Sequence, residues 1–281
     1  METWHNLDRP ALDRAYNARD SVADFAAEMQ RWTNLSALAR FQLDPTENIV
    51  FDPASGMALD WFAGAPDGPV LLWIHGGYWR ALSRTEQSLV APAFVAAGIH
   101  VAIMDYSLAP AVTLDEIVRQ ARAAAAFVAA TAATHGADPA RVFAAGHSAG
   151  GHLTGMLLAD PSPLRGRPLR GGITLSGLFD LEPIRQSYVN DWLHLDAPAA
   201  RRLSPLHHIP DAAPALLASY GGLESDEFRW QSETYVAAWQ AAGHRATLAP
   251  QPARHHFDIV VALGDPADPL CRAVIDFIQT E

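Results

Sequence analysis

The feature that most constrains this chain is a series of short, unbroken apolar runs separated by turn residues or by stretches with helical spacing. Residues 70–74, 101–104, 142–145 and 173–175 are such runs, 216–220 is a further candidate and 246–249 a weaker one. A strand that is apolar at every position has both faces covered, which is the condition of a parallel sheet between layers of helix. Between the second and third runs, Leu114, Ile117, Val118, Ala121, Ala125 and Val128 recur at helical spacing. Thr113 and Glu116 predict a capping box ahead of that helix. Strand, helix, strand in alternation means crossover connections, and hence parallel strands. Upstream, residues 48–52 and 57–63 flank a Pro-Ala-Ser-Gly turn and read as a small antiparallel part of the same sheet. The expected architecture is α/β, a mostly parallel central sheet flanked by helices, in one domain spanning residues 1–281.

Two stretches stand outside the alternation. Residues 10–42 are Ala-rich with no strand-like run, so 1–45 is expected to form a helical N-terminal arm. The arm would serve as a lid, as a contact making a homodimer possible, or as packing only. Residues 181–210 carry Tyr188, Trp192, the pair His207 and His208, and several prolines. A long insertion between two sheet strands is expected to cap whatever the carboxyl edge presents.

Composition narrows the function classes. The net charge is -11, which argues against nucleic acid and against an anionic membrane surface, because both need clustered Lys and Arg. No run approaches the roughly 18 consecutive apolar residues of a membrane span. The stretch 1–19 is dotted with charges and lacks a signal-peptide core. The single cysteine, Cys271, permits no internal disulfide and fits a reducing compartment, so a cytoplasmic protein is expected.

The chemistry concentrates at the carboxyl ends of the runs. Residues 146–150 read Gly-His-Ser-Ala-Gly, between an apolar run and a helix-like stretch. Glycines on both sides of Ser148 allow a sharp strand-to-helix turn that projects the hydroxyl over the sheet edge. The following helix turns its free N–H groups toward the same point. As a bare string the motif is common, and its context is what gives it weight. At 75–79, His-Gly-Gly-Tyr-Trp ends the 70–74 run. Gly76 and Gly77 let backbone N–H groups face a developing oxyanion, a task shared with the amide of Ala149.

A serine nucleophile needs a base and an orienting acid. After the 216–220 run the loop offers Glu224 and, second to it, Asp226. Near the C-terminus, His255 and His256 are equally placed as general base. Twelve histidines raise the question of metal, but the adjacent pairs lack Cys or acidic partners at ligand spacing, so no metal or other cofactor is expected. Tyr78, Trp79, Tyr188 and Trp192, with Phe179, would suit an aryl substrate, although several such rings ordinarily fill a core.

The combination His-Gly-Gly-Tyr-Trp-Arg at 75–80, Gly-His-Ser-Ala-Gly at 146–150, Ser-Gly-Leu-Phe-Asp-Leu at 176–181 and His-Phe-Asp at 256–258 resembles the arylformamidase (kynurenine formamidase) branch of the α/β-hydrolases. Tyr-Asn-Ala-Arg at 16–19, Asp-Tyr-Ser-Leu-Ala-Pro at 105–110 and the run 224–232 extend the likeness over nearly the whole chain. The resemblance implies that the base is the histidine directly before Phe-Asp, His256. It places the acid on Glu224, where the family commonly has Asp. It implies an α/β-hydrolase fold and a serine hydrolase that cleaves an aryl formamide such as N-formylkynurenine through an acyl-enzyme on Ser148. A carboxylesterase acting on short-chain or aryl esters is the alternative, and a non-catalytic small-molecule binder is a third reading. The expected partner is a small amide or ester.

Overall fold

Where the sequence alternates apolar runs with helical spacing, the chain alternates strands with helices. The computed structural model describes residues 4–160 and 168–281, so residues 1–3 of the expected arm lie outside the described residues. The strands are β1 (Thr46–Asp52), β2 (Met57–Phe62), β3 (Gly68–Ile74), β4 (His100–Met104), β5 (Ala137–His147), β6 (Gly171–Leu175), β7 (Ala215–Ser219) and β8 (Ala246–Leu248). Among the described residues they form one sheet in the order β1-β2-β4-β3-β5-β6-β7-β8. β2 pairs antiparallel with β1 and β4, and all later pairs are parallel. β5 begins five residues before its apolar run because Ala137 already pairs with Gly68.

The helices are α1 (Arg9–Ala15), α2 (Phe25–Leu43), α3 (Ala91–Ala96), α4 (Leu114–Thr131), α5 (Ala149–Ala159), α6 (Glu182–Arg185), α7 (Asn190–Leu193), α8 (Ala197–Arg202), α9 (Asp226–Ala241), α10 (Asp258–Ala262) and α11 (Pro269–Thr280). Alternate residues of each strand feed opposite layers, as the pleat dictates. Val70, Leu72 and Ile74 of β3 pack with α4, α5 and α9, through residues such as Ile117, Leu153 and Tyr235. Leu71 and Trp73 pack with α2, α3, α10 and α11, through Trp32, Phe94, Ile259 and Val274. The capping box on α4 is half made. Thr113 Oγ1 accepts the Glu116 N–H at 3.3 Å, while the Glu116 carboxylate turns to Arg119 and Gln120.

The strand order reverses between β3 and β5: β3 leaves the sheet through α3 in one layer toward β4, and β5 leaves through α5 in the other layer toward β6. A crevice opens at such a switch point, outside the carboxyl ends of the strands. The arm reaches this crevice as two helices with a 3-10 turn, Ala18–Ser21, between them. Asp8 and Asp24 cap the two helices, accepting the N–H groups of Ala11 and Ala27. Ser36 of α2 bonds the Glu86 carbonyl and the Leu89 N–H, and Arg40 pairs with buried Asp60 at 2.7 Å. α2 is thereby fixed to the body of the sheet. The 181–210 insertion forms α6, α7, α8 and the short helical turn Pro205–His207.

Candidate active site

Ser148 sits at the junction of β5 and α5 with φ 56° and ψ -117°, a backbone region that side chains rarely adopt. Its N–H donates to the Leu175 carbonyl at 2.8 Å and its carbonyl accepts from His152 at 3.1 Å, which holds the turn closed. The flanking glycines are steric necessities. A Cβ on Gly146 would overlap the backbone of Gly150, and one on Gly150 would overlap the Ile74 carbonyl. The G-x-S-x-G spacing is therefore what lets α5 start directly against the end of β3.

The loop after β3 is built around two carbonyls. Tyr106, buried, donates its hydroxyl to the oxygens of His75 and Gly76, both at 3.0 Å. Nδ1 of His75 also lies 2.8 Å from the Gly76 oxygen, and burial pushes the His75 pKa down, keeping the ring neutral. In a trans peptide the carbonyl and the next N–H point in opposite directions. Fixing the Gly76 oxygen on Tyr106 therefore turns the Gly77 N–H the other way. Gly77 lines the cavity that holds Ser148, and its φ of 99° suits a residue without a side chain. The Gly77 and Ala149 amides donate to no group among the described residues. Gly76 packs beside the serine, where a Cβ would stand 3.2 Å from that of Ser148.

His256 and Glu224 come together from two loops, after β8 and β7. Nδ1 of His256 lies 2.6 Å from Oε1 of Glu224, and Oε2 accepts the Gly221 N–H at 3.0 Å. Both side chains are almost fully buried, at 4% and 1% exposure, so little water competes for this pair. The alternatives fall elsewhere. His255 faces Glu28 and Asp258, and Asp226 is exposed in the first turn of α9.

Ser148 and His256 line one cavity of about 600 Å³. Tyr78, Tyr188 and Trp192 are among the residues that line it. Two aromatic expectations need correction. Trp79 is fully buried and points away, its ring edge-on to His152 at 5.0 Å. Tyr78 and Trp79 are consecutive left-handed residues, with φ 49° and 57°, and this twist separates neighbours in sequence. Phe179 stacks on Tyr235 at 4.1 Å within the core. The rings of Tyr78 and Trp192 are tied to their surroundings. Tyr78 donates its hydroxyl to the Tyr16 carbonyl at 2.5 Å, and Trp192 Nε1 donates to the Tyr78 carbonyl at 3.1 Å.

Several wall residues were not foreseen. The arm contributes Asn17, Arg19, Phe25, Met29 and Trp32. It is pinned to each neighbouring loop: Asp13 accepts the Tyr188 N–H, Ser225 bonds the Ala15 carbonyl, and Trp32 Nε1 bonds the Phe257 carbonyl. The arm is therefore both packing and cavity wall. His147 also lines the cavity, its ring 4.4 Å from that of His256. Burial, with His256 beside it, pushes its pKa well below that of ordinary imidazole. No group of three or more His, Cys, Asp or Glu among the described residues could hold a metal ion, and no helix there is long and apolar enough to cross a membrane.

A strained serine at a strand-to-helix turn and a histidine backed by a buried carboxylate meet in one cavity that Gly77 also lines, an arrangement capable of acyl transfer. The prolyl oligopeptidase family profile matches residues 112–279, and a BD-FAE profile matches residues 63–160. The chain belongs to the prolyl oligopeptidase family. It is an arylformamidase-like hydrolase of the α/β-hydrolase fold. It is 29% identical to a kynurenine formamidase of Danio rerio over 94% of each chain. A kynurenine formamidase of Salmo salar is also 29% identical, over 94% of this chain and 95% of its own. Among solved structures, a candidate thioesterase from Silicibacter sp. TM1040 superposes with a TM-score of 0.81 at 28% identity, covering 96% of this chain and 99% of that one.

Proposed function

We propose that this hydrolase cleaves aryl formamides such as N-formylkynurenine, with Ser148 as nucleophile, His256 as base and Glu224 as orienting acid. The observation that carries the reading is the buried 2.6 Å contact between His256 and Glu224, reached in the same cavity as the strained Ser148. Glu224 holds the Nδ1–H tautomer, which leaves Nε2 free to take the Ser148 proton. The serine oxygen then bonds to the formyl carbon. The resulting oxyanion is held by the Gly77 and Ala149 amides, and the positive end of α5 adds to this field. Protonated His256 returns the proton to the aryl nitrogen, the C–N bond breaks and the amine leaves. Water, deprotonated by His256, releases formate and restores the serine. No step needs a cofactor. Cys271, buried and unpaired, supports a cytoplasmic setting.

The kynurenine formamidases named above favour the formamide substrate, and Tyr78, Tyr188 and Trp192 supply flat apolar walls for an aryl ring. Ester hydrolysis is the second reading: the same serine, base and oxyanion donors act on an ester carbonyl, and the Silicibacter structure is named for thioester cleavage. The test is turnover of N-formylkynurenine beside a series of p-nitrophenyl esters, with Ser148→Ala as control. Serine-dependent formamide turnover is expected. Ester turnover without formamide turnover would make the protein a carboxylesterase.

A further inference from the structure

The cavity over Ser148 has a charge character opposite to that of the chain. The protein carries a net charge of -11, yet its cavity is lined by two arginines, Arg19 and Arg80, and by no Asp or Glu. They arrive from separate elements, Arg19 from the turn between α1 and α2 and Arg80 from the loop after β3. Each guanidinium lies over an aromatic wall residue. Arg19 is 4.6 Å from the centre of the Phe25 ring, and Arg80 is 4.3 Å from that of Trp192.

Neither arginine makes an ion pair among the described residues. Elsewhere, Arg9, Arg40, Arg84 and Arg119 all bind carboxylates. A ring contact fixes a guanidinium while leaving N–H edges free, and such an edge matches the two oxygens of a carboxylate. Both arginines also act on one point, the Tyr188 hydroxyl. Burial pushes its pKa up; Arg19 and Arg80 oppose that shift, while Asp13 and Asp20 add to it. Asp13 is engaged by the Tyr188 N–H at 2.6 Å, and Asp20 lines the adjoining depression beside Glu224.

We infer that Arg19 and Arg80 form an anion subsite at the cavity mouth, selecting substrates that carry a carboxylate remote from the scissile carbonyl. The inference rests on reading this cavity as the substrate site. It adds the chemistry of the substrate's far end. Both side chains are exposed, so the subsite steers and orients and is weakened by salt.

The test compares kcat/KM within two matched pairs. One is 3-(4-formamidophenyl)propanoate against its primary amide, and the other is 3-(4-acetoxyphenyl)propanoate against its primary amide. The intact enzyme is expected to favour the carboxylate by about 10-fold or more, mainly through KM, and less at high salt. Arg19→Gln and Arg80→Gln should each lower that ratio, and the double variant should bring it near one. Taking the ratio within each variant cancels any loss of active protein. Equal use of acid and amide by the intact enzyme, or an unchanged ratio in the double variant, overturns the subsite. If only the ester pair is cleaved, the formamidase reading fails while the ester ratio still decides the subsite. Binding of 3-phenylpropanoate against 3-phenylpropanamide, followed by calorimetry, gives the same ratio without turnover.

Discussion

Oε1 of Glu224 lies 2.6 Å from Nδ1 of His256, while the other oxygen of the same carboxylate accepts the Gly221 N–H at 3.0 Å. The carboxylate is thus anchored to its own loop and aimed at the imidazole together. Glu224→Gln should lower kcat by about 10³ to 10⁴, because a neutral amide neither fixes the tautomer nor balances the imidazolium. Asp226→Asn, on the exposed first turn of α9, should leave kcat within about twofold, since an exposed charge at a helix start contributes only tenths of a kcal/mol. Steady-state rates for the two variants decide the matter, and comparable losses would reassign the acid.

Tyr106 does not line the Ser148 cavity but bonds the carbonyls of His75 and Gly76. Tyr106→Phe should let the Gly77 amide wander. The expected loss falls in kcat, below the roughly 10² to 10³ that removal of an oxyanion donor costs, with KM little changed. A loss confined to thermal stability would mean that the hydroxyl serves packing alone.

The glycines of the elbow make a stability prediction. A Cβ on Gly150 would overlap the Ile74 carbonyl, whereas Gly243, with φ 84°, has open space around it. Gly243→Ala should cost only the left-handed strain of about 1–2 kcal/mol. Gly150→Ala should cost more, because β3 and α5 must move apart, and it should also abolish turnover. Urea unfolding of both variants ranks the two effects.

Acid should destabilise the fold through its buried histidines. Burial lowers the pKa of His75 and His147, and brings His152 to about 4. Below the ordinary histidine value of 6.5, the unfolded chain takes up protons that the folded chain refuses. The stability present above that pH is therefore lost as pH falls toward 4. Each histidine contributes a slope of at most about 1 kcal/mol per pH unit, between 6.5 and its own lowered value. Glu227, pushed up to about 7 by burial and by Asp226, opposes this between 4.5 and 7. One carboxyl stands against three histidines, so the unfolding midpoint should fall from pH 6.5 to pH 5. A His152→Asn variant should show a shallower fall.

Much of this was legible in the sequence because the responsible forces are local. Continuous apolar runs specify strands buried on both faces, and Gly146 and Gly150 announce a turn in which no other residue fits. The residue patterns around Glu224 and His256 supplied their pairing by resemblance, across 32 positions that periodicity cannot connect. What stayed hidden depends on long-range placement. Trp79 follows Tyr78, yet two left-handed residues in succession send it into the core while Tyr78 reaches the cavity. The arm reads only as helical, and nothing in its composition says that Trp32 meets the Phe257 carbonyl 225 residues away. His147 is hidden for a similar reason: as the variable position of a common motif, it carries no signal of the His256 ring beside it.

The most direct test of the central claim is to treat the protein with a fluorophosphonate and map the adduct by mass spectrometry. A single adduct on Ser148, absent in Ser148→Ala and formed far more slowly in His256→Ala, is the predicted result. An adduct on another residue, or none on the intact and folded protein, would contradict it.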